Sequence, residues 1–392
     1  MDSTKKRIYL AAPHMTGNEQ TYIERAFQTN WIAPLGPNVD QFENDISNYA
    51  EVEGALAVSS GTAAIHLALR LLNVKAGDKV FCSTLTFVAS VNPILYQQAE
   101  PVFIDSEFDT WNMSPQALEK AFVDAEKEGN LPKAVVVVHL YGQNAKMDEI
   151  IEICDYYQVP IIEDAAESLG AIYKGRKSGT MGKFGIYSFN GNKIITTSGG
   201  GILVSNDREA LATGKFLATQ ARDNKPYYQH SELGYNYRLS NILAGIGIAQ
   251  LAAIEERVQQ KQAIFQKYVQ ELGQVNDFVF MPEYQETRHT RWLTTLIIDS
   301  DCPFFQPMEL IEALEKENIE ARPLWKPMHV QPLLKKYKYY PHSERLSVSD
   351  YLFKRGICLP SGTGMTEEEQ TRVIQTIHSF INQKRRLHYI SI

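Results

Sequence analysis

The sequence predicts an α/β fold in which a large domain with a mostly parallel sheet is followed by a smaller α+β domain. Short apolar runs alternate with helical stretches between about residues 54 and 205, which is typical of a parallel sheet covered by helices on both faces. A long helical pattern begins at Leu239, and the elements after it alternate differently. We therefore predict a large domain over residues 1–245 and a small domain over residues 246–392.

The elements of the large domain are predicted from apolar runs and helical spacing in chain order. Strands are expected at Ala55–Val58, Val80–Cys82, Val102–Ile104, Ala134–Val138, Val159–Ile162, Phe184–Phe189 and Ile202–Ser205. Helices are expected at Ala63–Leu72, Thr86–Gln98 and Met147–Tyr157, and one long helix is expected over Leu239–Leu272. Because the strands are joined through helices, their carboxyl ends should meet at one edge of the sheet, where ligands bind in such folds.

The small domain is predicted to contain strands at Trp292–Asp299 and Ile319–Pro323 and a helix at Pro307–Glu317, with proline at its first position. A last helix is expected from Thr366 to about Asn382. Thr366 and Glu369 have the spacing of a capping box at its start. Its buried stripe is predicted to be Val373, Ile374, Ile377 and Ile381.

Composition narrows the class of protein. The chain has 392 residues, is 44% apolar and 22% charged, and contains 17 Phe and 20 Tyr, so a disordered or fibrous chain is excluded. Its net charge of −7 disfavours a nucleic-acid partner. The N-terminal residues lack the apolar run of a signal peptide, and no apolar stretch reaches the about 18 residues of a membrane span. We therefore expect a cytoplasmic protein without a membrane partner.

The four cysteines are Cys82, Cys154, Cys302 and Cys358, and none lies in a CxxC motif or near a cluster of histidines. This spacing favours free thiols in a reducing compartment over disulfides or zinc ligands. No metal site is predicted.

A run of small residues, Ser59-Ser60-Gly61-Thr62-Ala63-Ala64, lies between a predicted strand and a predicted helix. Small residues let a ligand approach the backbone, and a helix N-terminus offers free N–H groups with a partial positive charge. The run is therefore suited to bind a phosphate. Taken alone, it is better explained as an ordinary Ser/Thr helix cap.

Asp164 lies at the end of a predicted buried strand, in the segment Ile161-Ile162-Glu163-Asp164-Ala165-Ala166-Glu167. A buried carboxylate is unfavourable unless a cation meets it. Two interpretations are open from these residues alone. Asp164 either caps a helix or forms a salt bridge, or it pairs with the cationic ring nitrogen of a cofactor.

Lys193 lies just after the predicted strand Phe184–Phe189, 29 positions beyond Asp164, in the segment Ser188-Phe189-Asn190-Gly191-Asn192-Lys193. A single lysine is ordinarily a surface residue, but a lysine that bonds covalently to a cofactor aldehyde would have to lie at such a strand end. Gly199-Gly200-Gly201 follows and predicts a flexible turn. It is not a GxGxxG motif, so a dinucleotide site is disfavoured.

The order of these signals is more specific than any one of them. A phosphate-binding helix start, an aromatic residue at Phe87, a strand-end Asp164 and a turn lysine at Lys193 are the parts that bind pyridoxal phosphate. With them, the sequence resembles the DegT/DnrJ/EryC1/StrS group of sugar aminotransferases, which have fold type I of the pyridoxal-phosphate-dependent transferases. The matching segments cover nearly the whole chain: SSGTAAIHLAL, STLTFVAS, HLYGQ, EDAAESLGA, YSFNGNKIITTSGGG and GYNYRLSN.

Three further segments, NWIAPLGP, RPLWKPMH and GICLPSGTGM, resemble the 4-aminotransferases of the UDP-N,N′-diacetylbacillosamine pathway, which serves bacterial protein glycosylation. The resemblance implies transamination of the 4-keto group of UDP-2-acetamido-2,6-dideoxy-hexos-4-ulose, with L-glutamate as amino donor. The alternatives are an aminotransferase for another nucleotide-linked keto-sugar, a sugar dehydrase and a non-catalytic protein of the same fold. Dehydrase relatives carry histidine in place of Lys193, and a degenerate member would be expected to lose Lys193 or Asp164.

The resemblance also implies roles for the residues that bind the cofactor. Lys193 should bond covalently to pyridoxal phosphate and move the proton during transamination, and Asp164 should keep the pyridinium nitrogen protonated. Phe87 should stack on the ring. Glu167 should contact the ring hydroxyl, although many relatives have Gln or His there. Gly61, Thr62 and Ser188 should hold the phosphate.

Asn236, in GYNYRLSN, is implied to reach the phosphate from the other subunit, so that a homodimer has composite active sites. Without the resemblance, Tyr235–Arg238 is equally explained as a turn that leads into a helix. Arg238 is a candidate for the substrate diphosphate. The further substrate candidates are Trp31, Ile32 and Ala33 for the uracil, and Asn190, Lys326 and His329 for the sugar or diphosphate. For His329 a structural role is equally open. Arg288 and Arg291 receive no role.

Overall fold

The computed structural model describes residues 5–299 and 302–390. Its strands are β1 Gly54–Val58, β2 Lys79–Ser83, β3 Glu100–Ile104, β4 Ala134–Val138, β5 Ile161–Asp164, β6 Ile172–Tyr173, β7 Arg176–Lys177, β8 Phe184–Ser188, β9 Gly201–Ser205, β10 Phe278–Phe280, β11 Thr287–Arg288, β12 Thr294–Ile298, β13 Arg322–Pro323, β14 Tyr339–Tyr340 and β15 Gly356–Leu359. Its α-helices are α1 Glu19–Gln28, α2 Pro37–Ala50, α3 Gly61–Leu71, α4 Asn92–Tyr96, α5 Pro115–Lys127, α6 Met147–Tyr156, α7 Arg208–Ala218, α8 Asn241–Leu251, α9 Ile254–Leu272, α10 Pro307–Lys316, α11 Val348–Arg355 and α12 Glu367–Ile390.

The main sheet has eight strands in the order β1-β9-β8-β5-β4-β2-β3-β14. The pairs from β8 to β14 are parallel, and β9 runs antiparallel to both of its neighbours. The strands β1, β2, β4, β5 and β8 therefore all end at the same edge of the sheet. This architecture, with helices on the sheet, confirms the predicted α/β class and matches fold type I.

The other sheets are smaller and antiparallel. A four-stranded sheet has the order β10-β12-β15-β13, and β11-β6-β7 form a third sheet. The C-terminal helix α12 buries Val373, Ile374, Ile377 and Ile381, as predicted. Its capping box is also confirmed, because Thr366 N–H donates to the Glu369 carboxylate over 3.0 Å and Glu369 N–H donates to the Thr366 hydroxyl over 3.2 Å.

Two predicted helices are wrong in extent for local reasons. The pattern over Leu239–Leu272 is two helices, α8 and α9, because the chain turns at Ala253, whose N–H donates to the Gln250 carbonyl three residues back. The predicted helix Thr86–Gln98 is a 3₁₀ turn at Val88–Ser90 followed by the short α4. Pro93 lacks an N–H group and is accommodated only in the first turn of a helix, so α4 begins next to it.

Other predictions differ less. The strand expected at Ile319–Pro323 is a strand only at Arg322–Pro323, and Ile319 forms an isolated bridge to Ile8. The last helix continues past Asn382 to Ile390. The structure adds α1, α2, α5, α7, α11 and several short strands that sequence reasoning did not identify. The proposed domain boundary at residue 245 falls inside α8, and the division into two domains stays a prediction.

The four cysteines are buried free thiols, as predicted. Within residues 5–299 and 302–390, no helix combines the length and apolar content that crossing a bilayer requires. The same part of the chain has no group of three or more His, Cys, Asp or Glu side chains placed to hold a metal ion.

Candidate active site

A cavity of about 370 Å³ lies where the carboxyl ends of β1, β5 and β8 meet. This volume is in the range of small-molecule sites. Its lining brings together most of the predicted cofactor residues: Gly61, Thr62, Phe87, Asp164, Glu167, Ser188 and Lys193, together with Asn190 from the predicted substrate set. These residues come from four separate segments of the chain, and the parallel sheet places them at one edge.

One end of the cavity is built to hold an anion. The Ser60 side chain caps α3 by accepting from Ala63 N–H over 3.0 Å, which leaves the N–H groups of Gly61 and Thr62 at the free end of the helix. The backbone is closely packed here, because a Cβ added at Gly201 would lie 2.3 Å from the carbonyl carbon of Ser60. Ser188 is adjacent, since a Cβ added at Gly61 would lie 3.1 Å from its Cβ. These residues fit a phosphate group.

Asp164 is a buried carboxylate held by two hydrogen bonds. Its Oδ2 accepts from the Ser90 hydroxyl over 2.7 Å, and its Oδ1 accepts from Ala166 N–H over 3.2 Å. Its side chain faces the cavity and is only 6% exposed. Among the residues that the structure describes, no lysine, arginine or histidine forms an ion pair with it. A cation from a ligand would stabilise a buried carboxylate of this kind, and a protonated pyridine nitrogen is such a cation.

Ser90 was missed by sequence reasoning. Its hydroxyl lies 2.7 Å from the hydroxyl of Thr86 and donates its own proton to Asp164, so Thr86 is the donor of that second bond. Both residues are almost completely buried. The signal was present in STLTFVAS, where two hydroxyl residues lie four positions apart, but nothing in the segment indicates their partner.

Lys193 reaches the cavity from a tight turn, closed by its own N–H, which donates to the Asn190 carbonyl over 3.0 Å. Its Nζ lies 3.9 Å from Oε1 of Glu167 and 4.3 Å from the ring centroid of Trp292. Only 12% of its side chain is exposed. The amine is therefore held inside the site and is not a surface charge.

Glu167 is also buried and is held by two donors. Tyr141 N–H donates to its Oε2 over 2.8 Å, and the Trp325 indole N–H donates to its Oε1 over 3.2 Å. Burial raises the pKa of Glu167, although the nearby Lys193 amine and the Tyr141 N–H act in the opposite direction. Burial therefore favours the neutral form of this carboxyl group more than it would at a surface glutamate.

An aromatic wall closes one side of the cavity. The Phe87 ring is 50% exposed and lies 5.3 Å from the ring of Trp325, measured between centroids. The Trp325 ring stacks in turn on the ring of Tyr141, and the Tyr141 hydroxyl accepts from the backbone N–H of Trp325 over 2.9 Å. Trp325 was not assigned a role from the sequence, although it lies in the RPLWKPMH segment. An exposed ring at Phe87 is available to stack on a planar ligand.

The remaining predicted residues do not line this cavity. Trp31 and Ile32 are exposed, and Asn241 fixes their segment through the carbonyls of Trp31 and Ala33, over 3.0 and 2.8 Å. Asn236 is exposed, and its backbone forms an isolated antiparallel β-bridge with Thr219. The surface position of these residues is compatible with a site in a second subunit, and their roles stay predictions.

Arg238 and His329 are engaged within the chain. Arg238 is buried and donates to Glu43 over 2.5 Å and to the Ala57 carbonyl over 3.0 Å, so a diphosphate would have to compete with both. His329 lies 2.8 Å from the Thr84 hydroxyl and stacks on Tyr339, and burial lowers its pKa.

Lys326 is exposed and lines an adjacent cavity of about 480 Å³ together with Phe87 and Trp325. The substrate roles of Arg238, His329 and Lys326 stay predictions.

The lining of the main cavity fits pyridoxal phosphate. It offers an anion site, a buried carboxylate, a lysine amine and an aromatic face, which correspond to the phosphate, ring nitrogen, aldehyde and ring of that cofactor. Fold and cavity together define a pyridoxal-phosphate-dependent enzyme of fold type I. The chain belongs to the DegT/DnrJ/EryC1/StrS aminotransferase family, whose model matches residues 13–378.

Similar proteins carry names consistent with this family. The chain is 61% identical over 372 residues to the "Putative pyridoxal phosphate-dependent aminotransferase EpsN" of Bacillus subtilis (strain 168), covering 95% of each chain. It is 35% identical over 374 residues to the GDP-perosamine synthase of Caulobacter vibrioides, covering 95% of this chain and 97% of that one.

A solved DegT DnrJ EryC1 StrS aminotransferase from Brucella abortus matches with a TM-score of 0.85 and 28% identity, over 93% of this chain and 95% of that one. The chain is therefore a pyridoxal-phosphate-dependent sugar aminotransferase. The predictions of enzyme class, cofactor and family are confirmed.

Proposed function

We propose that this aminotransferase converts UDP-2-acetamido-2,6-dideoxy-hexos-4-ulose to a UDP-4-amino-4,6-dideoxy-N-acetylglucosamine, with L-glutamate as amino donor, in bacillosamine synthesis for protein glycosylation. The observation that supports transamination is the placement of Lys193 in the same cavity as the buried carboxylate of Asp164. The UDP-linked substrate is supported by the segments NWIAPLGP, RPLWKPMH and GICLPSGTGM.

In this proposal each lining residue has a separate task. When bound, pyridoxal phosphate supplies an electron sink at its ring. Asp164 holds the proton of the ring nitrogen, and the α3 N-terminus with Ser188 holds the phosphate. Lys193 Nζ would carry the proton from Cα of the donor to the cofactor in the first half-reaction, and from the cofactor to C4 of the sugar in the second. Glu167, held by Tyr141 and Trp325, orients the ring hydroxyl.

The proposed enzyme is a homodimer whose active sites combine residues of both chains. The support is that Trp31, Ile32 and Asn236, which the family resemblance assigns to substrate and phosphate, lie on the surface of the single chain outside its cavity. A composite site would bring them to the cavity of the other subunit. Arg238 has less support, because Glu43 already pairs with it.

The lysine is identified by a chemical test. Borohydride reduction of the holoenzyme should attach the cofactor's mass to the peptide that contains Lys193. Lys183 is a matched control, because it directly precedes the strand β8 that Lys193 follows, and it pairs with Asp207 on the surface. Lys183→Ala should retain the labelled peptide, and Lys193→Ala should lose it. A label on another lysine would overturn the assignment.

A second candidate is an aminotransferase for a keto-sugar on another nucleotide, and the 35% identical GDP-perosamine synthase favours it. Incubation with L-glutamate and a panel of UDP-, GDP- and dTDP-linked 4-keto sugars separates the two candidates. Mass and NMR of the product should show a 4-amino sugar formed most efficiently, by kcat/KM, from the UDP-linked acetamido substrate. Preference for a GDP-linked sugar would replace the proposed substrate and leave transamination intact.

A further inference from the structure

Trp292 contacts the turn that carries Lys193, although it lies almost 100 residues further along the chain. It lies two residues before the start of β12, and it is only 1% exposed. Its indole N–H donates to the Asn192 carbonyl over 2.7 Å, and its ring lies 4.3 Å from Nζ of Lys193. One side chain therefore contacts both the backbone of the turn and the amine at its end.

Trp292 is itself held from behind. Its carbonyl accepts a hydrogen bond from Nζ of the buried Lys261 over 2.9 Å. The same Nζ also donates to the Ser361 carbonyl over 2.6 Å. The Trp292 ring stacks on Tyr141 with a centroid distance of 6.3 Å. Because its backbone and ring are both constrained, Trp292 is a fixed surface against which the Lys193 side chain can rest.

We propose that Trp292 is a positioning residue that holds the free ammonium of Lys193 while this lysine is not bonded to the cofactor. The inference rests on the proposed role of Lys193. In the structure the Lys193 amine lies 4.3 Å from the centroid of the Trp292 ring and 3.9 Å from Oε1 of Glu167, and an aromatic face and a carboxylate both attract an ammonium group. A released ammonium therefore has a defined position close to the cofactor cavity.

The proposal affects the first half of transamination. L-glutamate gives its α-hydrogen and its ammonium group to the cofactor carbon and leaves as 2-oxoglutarate. One water molecule is consumed. Its oxygen becomes the oxo oxygen of 2-oxoglutarate, and its two hydrogens convert the protonated imine nitrogen of the lysine to the free ammonium. A contact that stabilises free Lys193 ammonium shifts this equilibrium towards the aminated cofactor.

The expected size of the shift follows from the contact. Removing the ring should move the equilibrium constant towards the lysine-bonded form by about 2- to 30-fold, which corresponds to ~0.5–2 kcal/mol for an ammonium over an indole. Part of the interaction remains in every variant, because Glu167 stays in place.

The test uses the holoenzyme and measures an equilibrium rather than a rate. Holoenzyme is mixed with set ratios of L-glutamate and 2-oxoglutarate, and absorbance gives the fraction of cofactor in the aldehyde form. Trp292→Leu and Trp292→Met lack a ring, and either one decides the test if the other does not fold. Trp292→Phe retains a smaller ring face and lacks the N–H group that contacts Asn192. Phe122→Leu, in the α5 core, controls for general loosening.

The expected result is a shift towards the aldehyde form in Trp292→Leu and Trp292→Met, a much smaller shift in Trp292→Phe, and none in Phe122→Leu. Equal shifts in the three Trp292 variants would assign the effect to the Asn192 contact and overturn the proposal. An unchanged equilibrium, or an equal shift in Phe122→Leu, would also overturn it. Borohydride labelling distinguishes failure of this inference from failure of the proposed function. A label on Lys193 together with an unchanged equilibrium would remove only the role of Trp292 and leave the role of Lys193 intact.

Discussion

Substitution of Ser90 by alanine removes the hydroxyl that donates to Oδ2 of Asp164. The other oxygen of Asp164 retains its bond from Ala166 N–H, so the carboxylate stays in place but loses one of its two protein donors. The hydroxyl of Thr86 loses its acceptor at the same time. We expect the cofactor to bind and catalysis to weaken, because the charge that faces the ring nitrogen is less well fixed.

The magnitude follows from the geometry. The bond is 2.7 Å long, the Ser90 side chain is 1% exposed, and the acceptor is charged. Hydrogen bonds to charged groups contribute ~1.5–3 kcal/mol, so kcat should fall by between about 10- and about 150-fold. Thr86→Val is the matched control, since it removes only the outer hydroxyl and leaves the bond from Ser90 to Asp164 intact. Its loss of kcat should be smaller.

The assay combines steady-state kinetics with a double-mutant cycle. Both kcat and KM are measured with L-glutamate and the UDP-linked keto sugar for Ser90→Ala, Asp164→Asn and the double variant. If Ser90 acts through Asp164, adding Ser90→Ala to Asp164→Asn should change kcat little. The NMR resonance of the pyridine ring nitrogen, measured with isotopically labelled cofactor, should also shift in Ser90→Ala, because this nitrogen faces Asp164. Additive losses in the cycle, or full activity in Ser90→Ala, would refute the reasoning.

Three further predictions test the proposed site and the fold around it. Asp164→Asn should lower kcat by orders of magnitude with little change in KM, because it removes the charge that holds the ring proton; a change confined to KM would make Asp164 a binding residue. Mixed dimers of Lys193→Ala and Asn236→Ala should recover activity, up to about half per heterodimer, because one of their two sites carries neither lesion. No recovery in heterodimers verified by native mass spectrometry would remove the composite site. Burial lowers the pKa of Lys261 to about 7 from an ordinary value of 10.5, so the unfolded chain binds more protons between these values. The free energy of unfolding should therefore rise with pH across that window, and urea unfolding should show a flatter pH dependence for Lys261→Met; equal slopes would contradict this.

The local signals around the cofactor cavity were readable because each is confined to a few consecutive residues. The Ser59–Ala64 run starts a helix at Gly61, since a serine precedes the free N–H groups there. Asp164 ends β5, and Lys193 follows β8. A strand, its end and the residue after it are adjacent in sequence, and a parallel sheet places such ends together. The phosphate-binding run, Asp164 and Lys193 were therefore predictable from order and spacing, whereas the roles of Glu167 and Ser188 came from the family resemblance.

The partners of the predicted substrate residues could not be inferred from order and spacing. Arg238 was a reasonable diphosphate ligand, since a guanidinium fits phosphate oxygens in pairs. The fold brings Glu43, almost 200 positions earlier, to within 2.5 Å of it. An arginine binds an internal carboxylate and a phosphate by the same chemistry, so only the tertiary structure shows which partner is present in the chain.

By itself, the sequence determined the fold class, the order of strands and helices around the cavity, and the residues that lie at the strand ends. The tertiary structure alone decided that Ser90 donates to Asp164, that Trp325 stacks beside Phe87, and that Trp292 lies against Lys193. The physical reason is the range of the interactions. Capping, strand formation and turns depend on neighbouring residues, whereas these contacts join segments separated by some 70 to 240 positions, which only the packed fold brings together.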